Sequence, residues 1–154
     1  NRGWLKEEFK KNFIKKNLVF TLVSSSKKNV LRGLHMQTKN PQDKFLSVLK
    51  GRVLDVAVDL RKNSKTYGKH FKIILSERNG KHLFVPKGFA HGILGLDKEN
   101  ILHYACSNYR DRKSEVSIKW NDNDLKINWG IKKPIISQKD KFALSLKDFN
   151  RKKR

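Results

Sequence analysis

Cysteine, methionine and proline are scarce in this chain, whose 154 residues include one Cys, one Met and three Pro. The lone Cys106 excludes an internal disulfide. With no secretory leader visible, the sequence favours a reducing compartment, the cytoplasm by default. The opening Asn1-Arg2-Gly3 has no initiator Met, so a first set of strands is expected to be missing. No apolar run approaches the ~20 residues that a membrane-spanning helix needs, which argues against a membrane partner. Acidic residues are also few, 14 against 36 Lys and Arg, for a formal charge of +22. Such an excess suits a polyanion, because bound phosphates release counterions. Yet 27 of the basic residues are Lys, spread along the chain, with one run at Arg151-Lys152-Lys153-Arg154. No basic stripe interleaved with aromatic residues is present, which argues against nucleic acid. A dispersed positive field would also steer a small dianionic ligand, and charge alone does not separate the two readings. Internal repeats and flexible linkers are absent, and this length leaves room for one core. The expected organisation is a single domain over residues 1–154.

What the chain does contain is a pair of histidine segments on either side of a strand-rich middle: Leu31-Arg32-Gly33-Leu34-His35-Met36-Gln37 and Pro86-Lys87-Gly88-Phe89-Ala90-His91-Gly92. Short stretches rich in β-branched and aromatic residues predict strands at Leu18 to Val23, Phe45 to Leu49, Val53 to Leu60, Phe71 to Leu75, His82 to Val85, Ile101 to Cys106 and Val116 to Trp120. Turn residues bound several of them, among them Lys50-Gly51, Arg78-Asn79-Gly80 and Asn121-Asp122-Asn123. Many short strands at this spacing predict an all-β sandwich or jelly roll. Two short flanking helices are expected. One carries Trp4, Leu5, Phe9, Phe13 and Ile14 on one face. The other follows a capping-box-like Ser137-Gln138-Lys139-Asp140 and carries Phe142, Leu144 and Leu146.

Taken singly, each notable residue has a plain reading. Asp140 reads as the acidic member of a helix cap, His35 and His91 as polar strand-end residues, Tyr104 as a core aromatic and Lys44 as a solvated lysine. Taken in order along the chain, they resemble a family. Pro86 to His91 is similar to the second signature of the cupins. The wider series resembles the dTDP-4-dehydrorhamnose 3,5-epimerases: Arg32-Gly33-Leu34-His35 with Gln37, Gly51 leading into Asp55 to Arg61, Ser64-Lys65-Thr66-Tyr67-Gly68, Gly88 to Gly92, Tyr104, Trp120, Trp129 and Ser137 to Asp140.

That resemblance implies a cupin jelly-roll and a homodimeric isomerase that uses no cofactor. Its substrate would be a 4-keto-6-deoxy nucleotide sugar destined for dTDP-L-rhamnose and surface polysaccharide. The reaction inverts the carbons flanking the ketone by proton abstraction. Its base would be His35, with Asp140 as carboxylate partner, Lys44 as the cation near the enolate oxygen and Tyr104 as the acid on the opposite face. Substrate binding would fall to Arg32, Gln37 and His91, with Asp55 behind His91. Arg2 and Glu7 would join them from an N-terminal region that in the family crosses to a neighbouring subunit. A metal-dependent cupin would need a His-x-His pair where His35-Met36-Gln37 stands, so no metal is expected. Alternatives within the same resemblance are an epimerase or 3,4-ketoisomerase of other specificity, for instance on a GDP-linked sugar, and a non-catalytic nucleotide-sugar-binding cupin. The chain departs from the family at Thr21, flanked by Phe20 and Leu22 where Gln and Asn are usual, and at Arg110, which follows Tyr109 in place of a second tyrosine.

Overall fold

Alternating apolar residues and glycine-bearing turns fold the chain into two facing antiparallel sheets. The computed structural model describes residues 2–3, 5–10 and 14–152. Its strands are β1 (Phe20–Lys27), β2 (Leu31–Gln37), β3 (Lys44–Lys50), β4 (Arg52–Asp59), β5 (His70–Ser76), β6 (His82–Val85), β7 (Phe89–Gly95), β8 (Glu99–Cys106) and β9 (Glu115–Ser117). Two short helices follow, α1 (Gln138–Lys141) and α2 (Leu146–Lys152). One sheet has the order β1-β8-β3-β6 and the other β5-β4-β7-β2-β9, an all-β jelly roll with short helices at its flank, as the sequence predicts.

Side chains alternate between the two faces of a strand, and the registers show which set points inward. Leu22, Tyr104 and Leu46 lie side by side across β1, β8 and β3. Opposite them stand Val53, Ala57 and Ile93 of the second sheet, which with Leu46 and Tyr104 belong to the clusters that fill the barrel interior. The outer face of the second sheet carries Val56 and Val58, which pack against Leu125, Trp129, Leu146 and Phe149 of the C-terminal segment. β4 is therefore covered on both sides, and from Val56 to Asp59 every residue is buried. Each fully buried Leu or Val contributes roughly 1.5–3 kcal/mol. The C-terminal segment is held by Asp122, whose carboxylate accepts from the backbone N–H groups of Asp124, Leu125 and Leu146 at 2.9–3.2 Å. Trp129 Nε1 donates to the Trp120 carbonyl at 2.8 Å.

Two strands that the pattern does not announce, β2 and β7, are the ones that carry the histidines. Their glycines and polar residues break the alternation, and the pairing itself is irregular. The register of β2 against β7 shifts between Arg32 and His35. Residues three apart on a regular strand face opposite ways, yet Arg32 and His35 both line one cavity. The irregularity is centred on Gly33, whose φ is +114° and where a Cβ would lie 2.6 Å from the His91 carbonyl oxygen. No residue but glycine fits that site. Gly88, at φ +86°, opens β7 in a turn where a Cβ would meet Arg61 Cγ at 2.6 Å.

The predicted N-terminal helix is not formed over the described residues. Trp4 and Phe13 lie outside those residues, and the stretch 5–10 is irregular. There Phe9 meets Phe45 edge-on at 5.6 Å between ring centroids, and Glu8 pairs with His82 at 3.3 Å. Contacts with the β3–β6 side of the barrel replace the helical ladder. At the other end the expected single helix divides into two. α1 stops at Lys141, Phe142 is exposed, and Leu144 forms a bridge with Ile118 before α2 begins.

Candidate active site

Between the sheets, at the end where β1, β2, β7 and β8 meet α1, lies a cavity of about 570 Å³. Its wall brings together His35, Lys44, His91, Tyr104, Asp140 and Arg32. These side chains come from β2, β3, β7, β8 and α1, so the sheet pairings and the docking of one helical turn set their mutual positions.

His35 and Asp140 form the central pair. His35 Nε2 lies 2.6 Å from Asp140 Oδ1. The second oxygen of Asp140 accepts from Ser137 Oγ at 2.9 Å, while that same serine oxygen caps the Asp140 backbone N–H. The helix cap and the pairing with His35 thus occur in one residue, because the cap is what orients the carboxylate. Burial opposes ionisation of this group, but hydrogen bonds from His35 and Ser137 outweigh it and keep the carboxyl below its ordinary range. An ionised carboxylate only accepts, so the proton between the two groups belongs to Nε2 and the lone pair of His35 to Nδ1.

His91 stands directly across from His35 in the β2–β7 pairing. Its Nε2 lies 2.8 and 3.0 Å from the two oxygens of Asp55, and both residues are buried. Asp55 therefore sits behind the cavity wall and acts on it through His91. The ring of Tyr104 meets His91 edge-on, 6.3 Å between centroids. Burial pushes the Tyr104 phenol well above its ordinary value, and the charge of Asp55 adds to this. A tyrosine so placed holds its proton at neutral pH and can give it only to a strongly basic acceptor. Burial also pulls the Lys44 ammonium down, against the attraction of Cys106, Glu115 and Asp55.

Three of the expected binding residues hold their polar groups away from this cavity. Gln37 borders the cavity, but its amide is committed elsewhere. Nε2 donates to the Asn40 and Tyr109 carbonyls and Oε1 accepts from the Asp111 N–H, which ties down the loop after β8. Arg2 and Glu7 are exposed and do not border the cavity, and Glu7 pairs with Lys10. Arg32 lines the wall with Nε on Ser26 Oγ at 2.8 Å and Nη2 on the Ser25 carbonyl at 3.0 Å.

Several wall residues escape sequence reasoning. Ser24 belongs to no motif. Glu115 joins Arg110 at 2.9 Å and Lys139 at 2.7 Å at the rim. Lys139 could have been found, since it adjoins Asp140; the bridging role of Glu115 depends on three separate segments meeting. Phe20 stacks on Tyr109 at 5.6 Å, an apolar patch of rim that continues into Leu22. Among the described residues no group of three or more His, Cys, Asp or Glu is arranged to hold a metal ion, and no helix is long and apolar enough to cross a membrane.

Comparison with known proteins gives concordant results. A family model described as dTDP-4-dehydrorhamnose 3,5-epimerase matches residues 1–148. A relative of that name from Methanothermobacter thermautotrophicus is 40% identical over 148 residues, spanning 91% of this chain and 80% of the relative. The crystal structure of a dTDP-4-dehydrorhamnose 3,5-epimerase from Elizabethkingia anophelis superposes with a TM-score of 0.89 at 42% identity, covering 97% of this chain and 87% of that one. A dTDP-6-deoxy-D-glucose-3,5-epimerase from Legionella pneumophila, in complex with dTDP-4-keto-L-rhamnose, superposes with a TM-score of 0.90 at 39% identity, covering 95% and 81%.

Proposed function

We propose a reaction for this chain from the premise that it belongs to the dTDP-4-dehydrorhamnose 3,5-epimerase family. The protein is an isomerase that inverts the carbons on either side of the ketone in a dTDP-4-keto-6-deoxy sugar. The observation that carries this reading is the His35–Asp140 pair at 2.6 Å, sharing one cavity with Lys44 and the protonated Tyr104.

A proton on a carbon next to a ketone is acidic because the electron pair left behind spreads onto the carbonyl oxygen. His35 Nδ1 takes that proton, the C–H bond breaks, and the charge moves to the enolate oxygen. Asp140 supports the imidazolium that forms. Lys44 supplies a cation for the enolate oxygen in surroundings where water screens it weakly. Tyr104 then gives its hydroxyl proton to the same carbon from the other side, which inverts it; the phenolate recovers a proton from solvent and the His35 imidazolium releases one to it. No electrons leave the sugar, so the cycle needs no redox cofactor. His91, held by Asp55, forms part of the sugar pocket. The planar fork of Arg32 suits the diphosphate, with contacts to Ser25 and Ser26 to exchange for phosphate oxygens.

The quaternary reading is a cytoplasmic homodimer over a single domain. Arg2 and Glu7, exposed and away from this cavity, would serve the cavity of the neighbouring copy. Sedimentation velocity tests that part, and a protein that stays monomeric at micromolar concentration contradicts it. The reaction itself is tested by proton NMR of dTDP-4-keto-6-deoxyglucose with the protein in heavy water. Deuterium entering both carbons flanking the ketone, with an inverted product, is the expected result. No exchange by the folded protein would sink the assignment.

A further inference from the structure

Four buried side-chain polar atoms among the described residues make no hydrogen bond of ordinary geometry: Ser24 Oγ, Ser47 Oγ, His103 Nδ1 and Ser117 Oγ. Of these residues, Ser24 alone lines the cavity. A buried hydroxyl without a well-formed hydrogen bond is unfavourable and rare, and one that borders a cavity calls for a partner to account for it. The placement of Ser24 identifies that partner. In the β1–β8 pairing Leu22 stands opposite Tyr104 and Ser24 opposite Leu102. Ser24 and Leu22 are two residues apart and share the inward face with Tyr104. The serine hydroxyl thus reaches the cavity beside the phenol. Burial and the charge of Asp55 make that phenol a weaker acid, and the Ser24 hydroxyl and the charge of Arg32 oppose them.

We propose that Ser24 is a positioning residue for Tyr104, donating a hydrogen bond to the phenol oxygen as that oxygen loses its proton to the sugar. This role rests on the epimerase reading above. In the step, the Tyr104 O–H bond breaks and a C–H bond forms on the sugar. The negative charge passes from the enolate to the phenolate, and the Ser24 O–H bond stays intact while its hydrogen points at the new charge. A phenol buried beside Asp55 is a reluctant acid. A neutral donor that strengthens only as charge develops lowers the cost of reprotonation without favouring the starting state. Ser24 therefore governs the second half of each inversion and leaves the first, at His35, unaffected.

The test compares parent, Ser24→Ala, Ser24→Thr and Ser24→Val in heavy water, with deuterium uptake at the sugar carbons and inverted product followed separately. Loss of the hydroxyl should leave exchange near the parental rate. It should slow inversion roughly ten- to a hundredfold, the rate equivalent of one hydrogen bond to a charged oxygen. Ser24→Thr, which keeps the hydroxyl, should invert far faster than Ser24→Val, which has the same shape without it, and this pair decides the matter even if Ser24→Ala folds poorly. Equal ratios of inversion to exchange in Thr and Val variants overturn the serine's role alone. A parent that does not exchange at all overturns the epimerase reading and this role with it.

Discussion

The molecule holds two histidine–carboxylate pairs on adjoining strands, and they differ in what encloses them. In His35–Asp140 the carboxylate arrives on α1 from 105 residues away, and the imidazole keeps 26% of its side chain exposed. In His91–Asp55 both partners belong to strands of one sheet, at 5% and 0% exposure, and the imidazole meets both carboxylate oxygens. The same two functional groups thus serve different ends. An imidazole with an open edge can gain and lose a proton as substrate and solvent come and go. One that is 5% exposed and held by both oxygens of its carboxylate is fixed in place instead. The open pair suits turnover, and the closed pair suits holding a wall in place.

Breaking the open pair should have the largest effect. His35→Ala should lower kcat by a factor on the order of 10²–10⁴, the usual contribution of a general base, with melting temperature little changed. A variant that exchanges sugar protons at the parental rate would remove His35 from that role. Breaking the closed pair should appear in stability instead. Asp55→Ala leaves a buried His91 nitrogen without its partner and should cost roughly 1–3 kcal/mol in urea unfolding. Asp140→Ala should reverse the order, losing more in kcat than in unfolding free energy, and if the two variants show the same profile the distinction between the pairs collapses.

A third comparison uses acid. The Asp140 carboxyl lies below its ordinary value when folded, so over the acid range the unfolded chain binds more protons. Its contribution to stability is complete above the ordinary carboxylate pKa of about 4 and is lost as pH falls through the lowered value. The stability gap between parent and Asp140→Asn should narrow on going from about pH 6 to about pH 3, as followed by thermal unfolding. A gap that widens would reverse the sign of the coupling. The smallest effect belongs to Ser137→Ala, which removes the α1 cap at a cost of about 1 kcal/mol and frees one oxygen of Asp140. Its kcat should fall further than so small a loss of stability would suggest.

The parts of the fold that could be read in advance are those where local pattern and tertiary role agree. β6 matches its expected bounds, and β5 and β8 match theirs with a residue or two added at the ends, because β-branched runs end there at turn residues. β2 and β7 resisted the same reading for a physical reason. Gly33 must approach the His91 backbone, and the bulge beside it turns Arg32 and His35 to one side, so neither strand alternates. Function therefore disturbed the pattern where it mattered most, while the histidines themselves remained visible as motifs. The N-terminal helix failed because Phe9 finds Phe45 on the barrel, a contact no local periodicity reveals. Ser24 and the Arg110–Glu115–Lys139 cluster were hidden because they become neighbours only when distant segments close around the cavity.

The double duty of Asp140 has a consequence for how the protein is made. Synthesis proceeds from the N-terminus, so the nine strands of the described residues leave the ribosome before the turn that carries this carboxylate. Until that turn emerges, His35 has no carboxylate beside it and the cavity lacks the wall that Ser137, Lys139 and Asp140 supply. A turn made late in synthesis thus closes the cavity and completes the histidine–carboxylate pair in one event.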